Sequence, residues 1–413
     1  MALRSVRDVE AASDGVLHLA PGDVVTPLAR ERAADLGVRL VHGGAVSAPP
    51  PAAPRADHPG GPAKGSGGLQ TPPAPVGTPS NALLRRGAPV PVGLRGSGSL
   101  RGGRALVVGA GHVGQITALR LAEADSFDEI VLADVAPGLA AGIALDLTHT
   151  SALGHFATTV RGVEAVADAG TCDYVVITAG KPRQPGMSRS DLISTNAEIV
   201  GAVARDVART SPQAVIVVVT NPLDEMTHHA WVTSGFPAER VMGMAGVLDT
   251  ARFQALAALE GAGRADRIKG FALGSHGDEM SIPLSQSTVG NQALSDLVPA
   301  ERVAAVVDRT RSSGAEVVGL LKSGSAFLAP GTSAAHMVLA MKHETGQVLS
   351  ASVRPNGEYG LEGVHVGLPV RLGPGGVDQI IELPLSTTEV TELQAAAARI
   401  RDRLGDLESS SAR

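Results

Sequence analysis

The chain has 413 residues, enough at about 150 per domain for two or three folded units, so its size permits an enzyme. Hydrophobic residues make up 44%, charged residues 18% and aromatics 2%, and the net charge is −6. This balance argues against a nucleic-acid binder, which needs clustered Lys and Arg. The most apolar run, Ala214 to Val219, is six residues long against the ~20 needed to span a bilayer, and it reads as a buried strand. Cys172 stands alone, which excludes an internal disulfide framework or a Cys-based zinc site and fits a reducing compartment. The opening MALRSVRDVE lacks an apolar signal core, so a cytoplasmic protein without a metal site is expected.

Residues 1–45 carry one small ordered candidate. Val16 to Leu19 alternates like a strand, Pro21-Gly22-Asp23 turns, and Thr26-Pro27 offers an N-cap and first-turn proline for a helix over Leu28 to Leu36, closed by Gly37. So short a piece has little core of its own and is expected to dock onto something. Residues 46–103 hold 12 of the 27 prolines among Ala, Gly and Ser, and read as an extended linker. Residues 1–100 carry a net charge of +3, which leaves −9 for the rest.

From Arg104 the pattern changes. Ala105–Val108, Glu129–Leu132, Tyr174–Thr178 and Val215–Val219 read as strands, separated by Ala- and Leu-rich helical stretches such as Gln115–Ala124. Continuous apolar strands spaced by helices predict an α/β fold, a parallel sheet covered on both faces.

Gly109-Ala110-Gly111-His112-Val113-Gly114 has the form G-x-G-x-x-G, of which about 0.7 matches arise by chance in so glycine-rich a chain. Its context gives it meaning. It follows a strand, opens a helix, and has Asp134 20 residues after its last glycine, at the end of the next strand. A dinucleotide needs a tight turn, a helix N-terminus for its pyrophosphate and a carboxylate for its ribose hydroxyls, and that carboxylate favours NAD over NADP.

Asp249-Thr-Ala-Arg252 is followed by His276-Gly-Asp278, where a histidine can exchange a proton with a hydroxyl while an aspartate fixes its tautomer. Taken alone, His276 reads as an ordinary surface or core histidine, as do His149, His155, His228, His229, His336 and His343. The loop Gly180–Arg189 carries Arg183 and Arg189 after a strand end, where open α/β sheets bind ligands, and the guanidinium fork suits carboxylates.

Taken in order, GAGHVG, ADV with Asp134, ALDL (Ala144–Leu147), PRQPGMSRSDL (Pro182–Leu192), TNPLD (Thr220–Asp224), LDTARF (Leu248–Phe253), GSHGDEM (Gly274–Met280) and GEYGLEGVHVGLPVRLG (Gly357–Gly373) resemble the lactate/malate dehydrogenase family over about 104–404. Among its branches the chain looks most like the NAD-dependent malate enzymes of the lactate-dehydrogenase-like type. The resemblance implies a Rossmann doubly wound domain over 104–248, an α+β substrate domain over 249–404 and a tail over 405–413. It implies a malate–oxaloacetate oxidoreductase of the tricarboxylic acid cycle that works as a homodimer or homotetramer.

Residue by residue, the proton relay matches His276 and Asp249, and Arg189 matches the arginine that polarises the reacting carbonyl. Arg252 matches the clamp on the α-carboxylate, Arg183 the residue that chooses the substrate, Asn221 the asparagine near nicotinamide and substrate, and Ser325 a small residue lining the pocket. The cofactor set implied is Gly109, Gly111, His112, Val113, Gly114, Asp134, Thr178, Ala179, Gly180, Asn196 and Asn221. Ser275 and Glu279 depart from the residues common beside the relay.

The first residues lie outside this pattern. Ser5 to Val41 is similar to a short segment found on several proteins of bacterial microcompartments, such as some cobalamin adenosyltransferases. TPLAR resembles the peripheral subunit-binding domain of acyltransferases, without its Gly-rich continuation. Two other readings stay open: a lactate or other 2-hydroxy acid dehydrogenase, and an NAD-binding scaffold recruited through its N-terminal segment.

Overall fold

The computed structural model describes residues 102–181, 189–277 and 279–411, with 3–4, 9, 11–12, 14–20, 23–25 and 27–42 of the N-terminal stretch. Nearly all of the expected linker, together with Arg183, Asp278 and the side chain of Arg189, lies outside the described residues. The chain divides into two units, 1–78 and 79–413.

In the first unit, strands Val16–Leu19 and Arg39–His42 pair in parallel, and the helix Pro27–Leu36 connects them. Gly37 follows that helix with φ of +68°, the left-handed conformation a side chain would resist. Val9, Leu19, Val25, Ala29 and Ala33 are its buried apolar residues, a core that supplies little stability.

The second unit begins with β1 (Arg104–Val108), α1 (His112–Glu123), β2 (Glu129–Ala133), α2 (Leu139–His149), β3 (Thr159–Val163), β4 (Tyr174–Ile177), α3 (Arg189–Thr210), β5 (Val215–Val218), α4 (Leu223–Ser234) and β6 (Val241–Gly243). Every strand runs parallel to its neighbours, in the order β3-β2-β1-β4-β5-β6 of a Rossmann sheet. Alternation explains the burial. Ala105 and Val107 enter one core and Leu106 and Val108 the other, and β2, β4 and β5 divide in the same way, so each strand is covered on both faces. Each fully buried Leu, Ile or Val there contributes roughly 1.5–3 kcal/mol.

The sheet continues past β6. After α5 (Gly246–Leu259) come β7 (Leu273–Gly274), β8 (Met280–Ser281), α6 (Ala300–Leu321), α7 (Leu328–Lys342), β9 (Val348–Val353), β10 (Val366–Gly373), β11 (Gly376–Ile380) and α8 (Thr387–Ser411). Strand β9 pairs antiparallel with β6 through Ser352 and Gly243, and β10, β7 and β8 follow it outward, so one sheet carries both halves. A separate core around Phe253, Ile268 and Leu294 packs α5 and α6 together. Among the described residues no helix is long and apolar enough to cross a membrane.

Two boundaries differ from the expectation. Helix α1 starts at His112 rather than Gln115, because extended Gly111 serves as its N-cap and the first turn already holds Gly114. Helix α8 runs to Ser411, through the stretch expected as a tail, since a mid-helix glycine such as Gly405 costs only about 1 kcal/mol.

Candidate active site

The glycine loop sits where the strand order reverses between β1 and β4. Gly109 has φ of +103°, and a Cβ there would lie 2.7 Å from Thr178 Oγ1 and 2.8 Å from Ala179 N. At Gly114 a Cβ would lie 1.8 Å from Gly109 O, so helix and strand can approach only without it. Gly111 is the opposite case, with no atom within 4 Å of a Cβ position, and it caps α1 without a side-chain bond. The N–H groups of His112, Val113 and Gly114 therefore open the helix without a side-chain acceptor. Thr178 Oγ1, 3.0 Å from both Val108 O and Gly109 O, holds the turn from β4.

Half-buried Asp134 accepts the N–H of Ala110 at 2.7 Å and of Ala136 at 2.9 Å. Asn196, buried on α3, accepts Lys181 N–H at 2.8 Å and donates to Lys181 O at 3.1 Å and Asn221 O at 2.7 Å. It thereby ties the start of the Gly180 loop to the end of β5. An open turn, an uncapped helix end and a carboxylate beyond the next strand suit a pyrophosphate and ribose, so the residues present fit NAD.

The residues expected to form the proton relay lie in the second half of the unit. Asp249 and Arg252 stand one turn apart on α5, and His276 tips the hairpin between β7 and β8. Asp249, 1% exposed, lies 2.7 Å from His276 Nδ1 through Oδ2, and accepts Arg252 Nη1 through Oδ1 at 3.1 Å. His276 is 19% exposed. Burial works against its imidazolium, but the charges of Asp249 and Asp224 outweigh burial and the opposing Arg252, and its pKa lies above that of an ordinary histidine. Nδ1 is engaged by Asp249, which makes Nε2 the ring nitrogen able to exchange a proton.

A buried acid that carries no role in the sequence reading stands behind this loop. Asp224, the last residue of TNPLD, accepts His276 N–H at 3.1 Å, Ser275 Oγ–H at 3.3 Å and Ser352 Oγ–H at 2.7 Å. Burial first, and then Glu225, push its carboxyl up to about 6, against the Ser352 and His276 contacts. Glu225 is itself buried and pairs with Arg403 of α8, which also reaches Glu279 at 2.9 Å and Ser275 Oγ at 3.0 Å. The two departures beside the relay, Ser275 and Glu279, are thus the residues that Arg403 holds. An acid after Asn-Pro-Leu was the available signal for Asp224; nothing local marked Arg403.

Asn221, exposed, lines with Asp224, Ser275, His276 and Arg403 a cavity of about 240 Å³. Ser325 is exposed between α6 and α7, and Phe327 two residues on packs its ring 5.0 Å from that of His112. A larger cleft of about 520 Å³, lined by Gln254, Lys269 and His336 among others, contains none of the relay residues.

Residues 104–243 match the family model of the lactate/malate dehydrogenase NAD binding domain, and residues 246–410 match that of its alpha/beta C-terminal domain. The chain belongs to the lactate/malate dehydrogenase family. It is similar to the malate dehydrogenase of Chloroherpeton thalassium, 44% identical over 71% of this chain and 95% of that protein. It is 44% identical to that of Nostoc punctiforme, over 72% of this chain and 90% of that protein. Among solved structures, the malate dehydrogenase from Salinibacter ruber is 38% identical with a TM-score of 0.71, over 74% of this chain and 98% of that one. The lactate dehydrogenase from Cryptosporidium parvum complexed with lactic acid and nicotinamide adenine dinucleotide is 34% identical with a TM-score of 0.71, again over 74% and 98%. The expected family and fold are borne out, and this member is an NAD-dependent oxidoreductase. Its first 103 residues precede the matched span.

Proposed function

We propose that the chain interconverts malate and oxaloacetate with His276 as the proton relay. The observation that carries the reading is the single Asp249 carboxylate shared between His276 and Arg252, which joins a proton-transfer group to a carboxylate-binding group in one rigid turn. NAD, when bound, would supply the hydride acceptor for C2 of the hydroxy acid. Gly109, Gly111, His112, Val113 and Gly114 would hold its pyrophosphate side and Asp134 its ribose, with Thr178, Ala179, Gly180, Asn196 and Asn221 along the nicotinamide side.

Arg252 grips one carboxylate of malate and Arg183 the other, which orients C2. Arg189, at the head of α3, polarises the reacting carbonyl, and exclusion of water strengthens each arginine–carboxylate contact. Nε2 of His276 takes the hydroxyl proton, and Asp249 holds the imidazolium that forms. Ser325 gives the pocket a small wall.

The Rossmann part is assigned to 104–248 and the substrate part to 249–404, followed by the short C-terminal stretch 405–413. The active unit is a homodimer or homotetramer in the cytoplasm. Residues 1–45 are a docking segment on the 46–103 linker, toward a protein partner or a microcompartment-like assembly. What favours malate over lactate is Arg183, since a second carboxylate needs a guanidinium. The test is NADH formation from NAD and malate by the full chain and by His276→Asn. The parent turns over, and the variant binds NADH but loses at least ~10²-fold in kcat. Near-normal turnover in the variant would remove the relay.

A further inference from the structure

The hairpin that carries His276 is gripped from behind. Asp224 lies at the start of α4, 1% exposed, and its two oxygens serve three donors on two elements. Oδ1 takes Ser352 of β9, while Oδ2 takes the Ser275 hydroxyl and the His276 backbone N–H. Two consecutive residues of the hairpin tip are therefore tied through one carboxylate to the central sheet.

A neutral amide could accept the same N–H without the cost of burying a charge. We propose that Asp224 is a positioning residue for the relay, holding the backbone of His276 while Asp249 holds its ring, and that its negative charge is what the site uses. The inference rests on the relay reading above. Asp224 adds a second carboxylate to the field that favours imidazolium, and burial and Glu225 bring its own titration near pH 6.

Among the described residues, the charged groups around the pair are Glu225 on the same helix, Asp249 and Arg252 on α5, Glu279 in the hairpin, and Arg399 and Arg403 on α8. Arg403 compensates Glu225 and Glu279 while its Nη2 donates to Ser275, so α8 supports the hairpin as well. Oxaloacetate reduction consumes the proton of His276, so its rate falls as pH rises through the histidine pKa. Removing the charge of Asp224 lowers that pKa and brings the fall to lower pH.

The test compares parent, Asp224→Asn, Ser352→Ala and His276→Asn in the full chain, with kcat/KM for oxaloacetate and NADH measured from pH 5.5 to 9. Asp224→Asn keeps an acceptor for the His276 N–H, and its rate should match the parent most closely, within about 2-fold, at pH 5.5, below the raised pKa of Asp224. Above pH 8 it should lie at least ~3-fold below the parent. Ser352→Ala removes one donor to the carboxylate, so it should follow the parent at pH 9 and depart toward the Asn variant near pH 7; this carries the test if Asp224→Asn does not fold. Profiles of both variants parallel to the parent, with His276→Asn inactive, overturn the inference and leave the relay standing. Activity in His276→Asn removes both.

Discussion

Asp249 and Arg252, three residues apart on one helix, form a 3.1 Å ion pair in which the carboxylate keeps its other oxygen for His276 at 2.7 Å. The same carboxylate thus fixes both the Arg252 guanidinium and the His276 ring, the pair proposed to bind substrate and relay its proton. Asp249→Asn removes the charge that does most to offset burial at His276, whose pKa then falls. Because reduction of oxaloacetate needs the protonated ring, the alkaline decline of kcat/KM moves to lower pH, and kcat drops by ~10²-fold or more. An unmoved decline would contradict the pairing.

Asp134 follows β2, its Oδ2 accepting the Ala110 N–H of the glycine loop and its Oδ1 the Ala136 N–H of its own turn. Asp134→Ser relieves repulsion of a 2′-phosphate, and the ratio of kcat/KM for NADH over NADPH should narrow. A parent that already prefers NADPH would remove this residue from cofactor choice.

Asp224 carries a stability cost. Its carboxyl is pushed up from 3.8 to about 6, so the folded chain binds the extra proton between those values, and stability falls as pH rises through the window. Two units correspond to on the order of 3 kcal/mol. Asp224→Asn should therefore be more stable than the parent at pH 8 in urea unfolding, with the gap closing toward pH 4. A gap that does not change with pH would show that the buried charge is not its source.

Much of this arrangement was legible in the sequence, and the rest was not for identifiable reasons. Strands β1, β2, β4 and β5 stood out because burial on both faces leaves uninterrupted apolar runs. The start of α1 did not, because a glycine cap and a glycine in the first turn hide a helix that exists for close approach to β1. Asp249 and His276 were recognisable through the family resemblance of LDTARF and GSHGDEM, but only the fold brings them to 2.7 Å. Asp224 lies within a legible motif, yet its partners Ser275, His276 and Ser352 come from 51, 52 and 128 residues away. Arg403 meets Glu225 across 178 residues, and no local pattern encodes such a pair.

The N-terminal unit buries Val9, Leu19, Val25, Ala29 and Ala33, a core separate from the three of the second unit. Deleting residues 1–100 should leave kcat/KM for oxaloacetate within about 2-fold and the melting temperature of the second unit little changed, since a Pro- and Gly-rich linker transmits little packing energy. Collapse of stability on deletion would make the segment part of the fold.

The malate reading is tested most directly by kcat/KM for oxaloacetate and pyruvate, measured side by side by NADH oxidation in the parent and in Arg183→Gln. A second carboxylate in a closed site gains a charge-assisted contact worth about 1.5–3 kcal/mol, and with pyruvate the same guanidinium would be left unpaired. The parent should prefer oxaloacetate by well over ~10²-fold, and Arg183→Gln should lose most of that preference. Pyruvate turnover comparable to oxaloacetate in the parent would contradict the account and make a lactate dehydrogenase the better description.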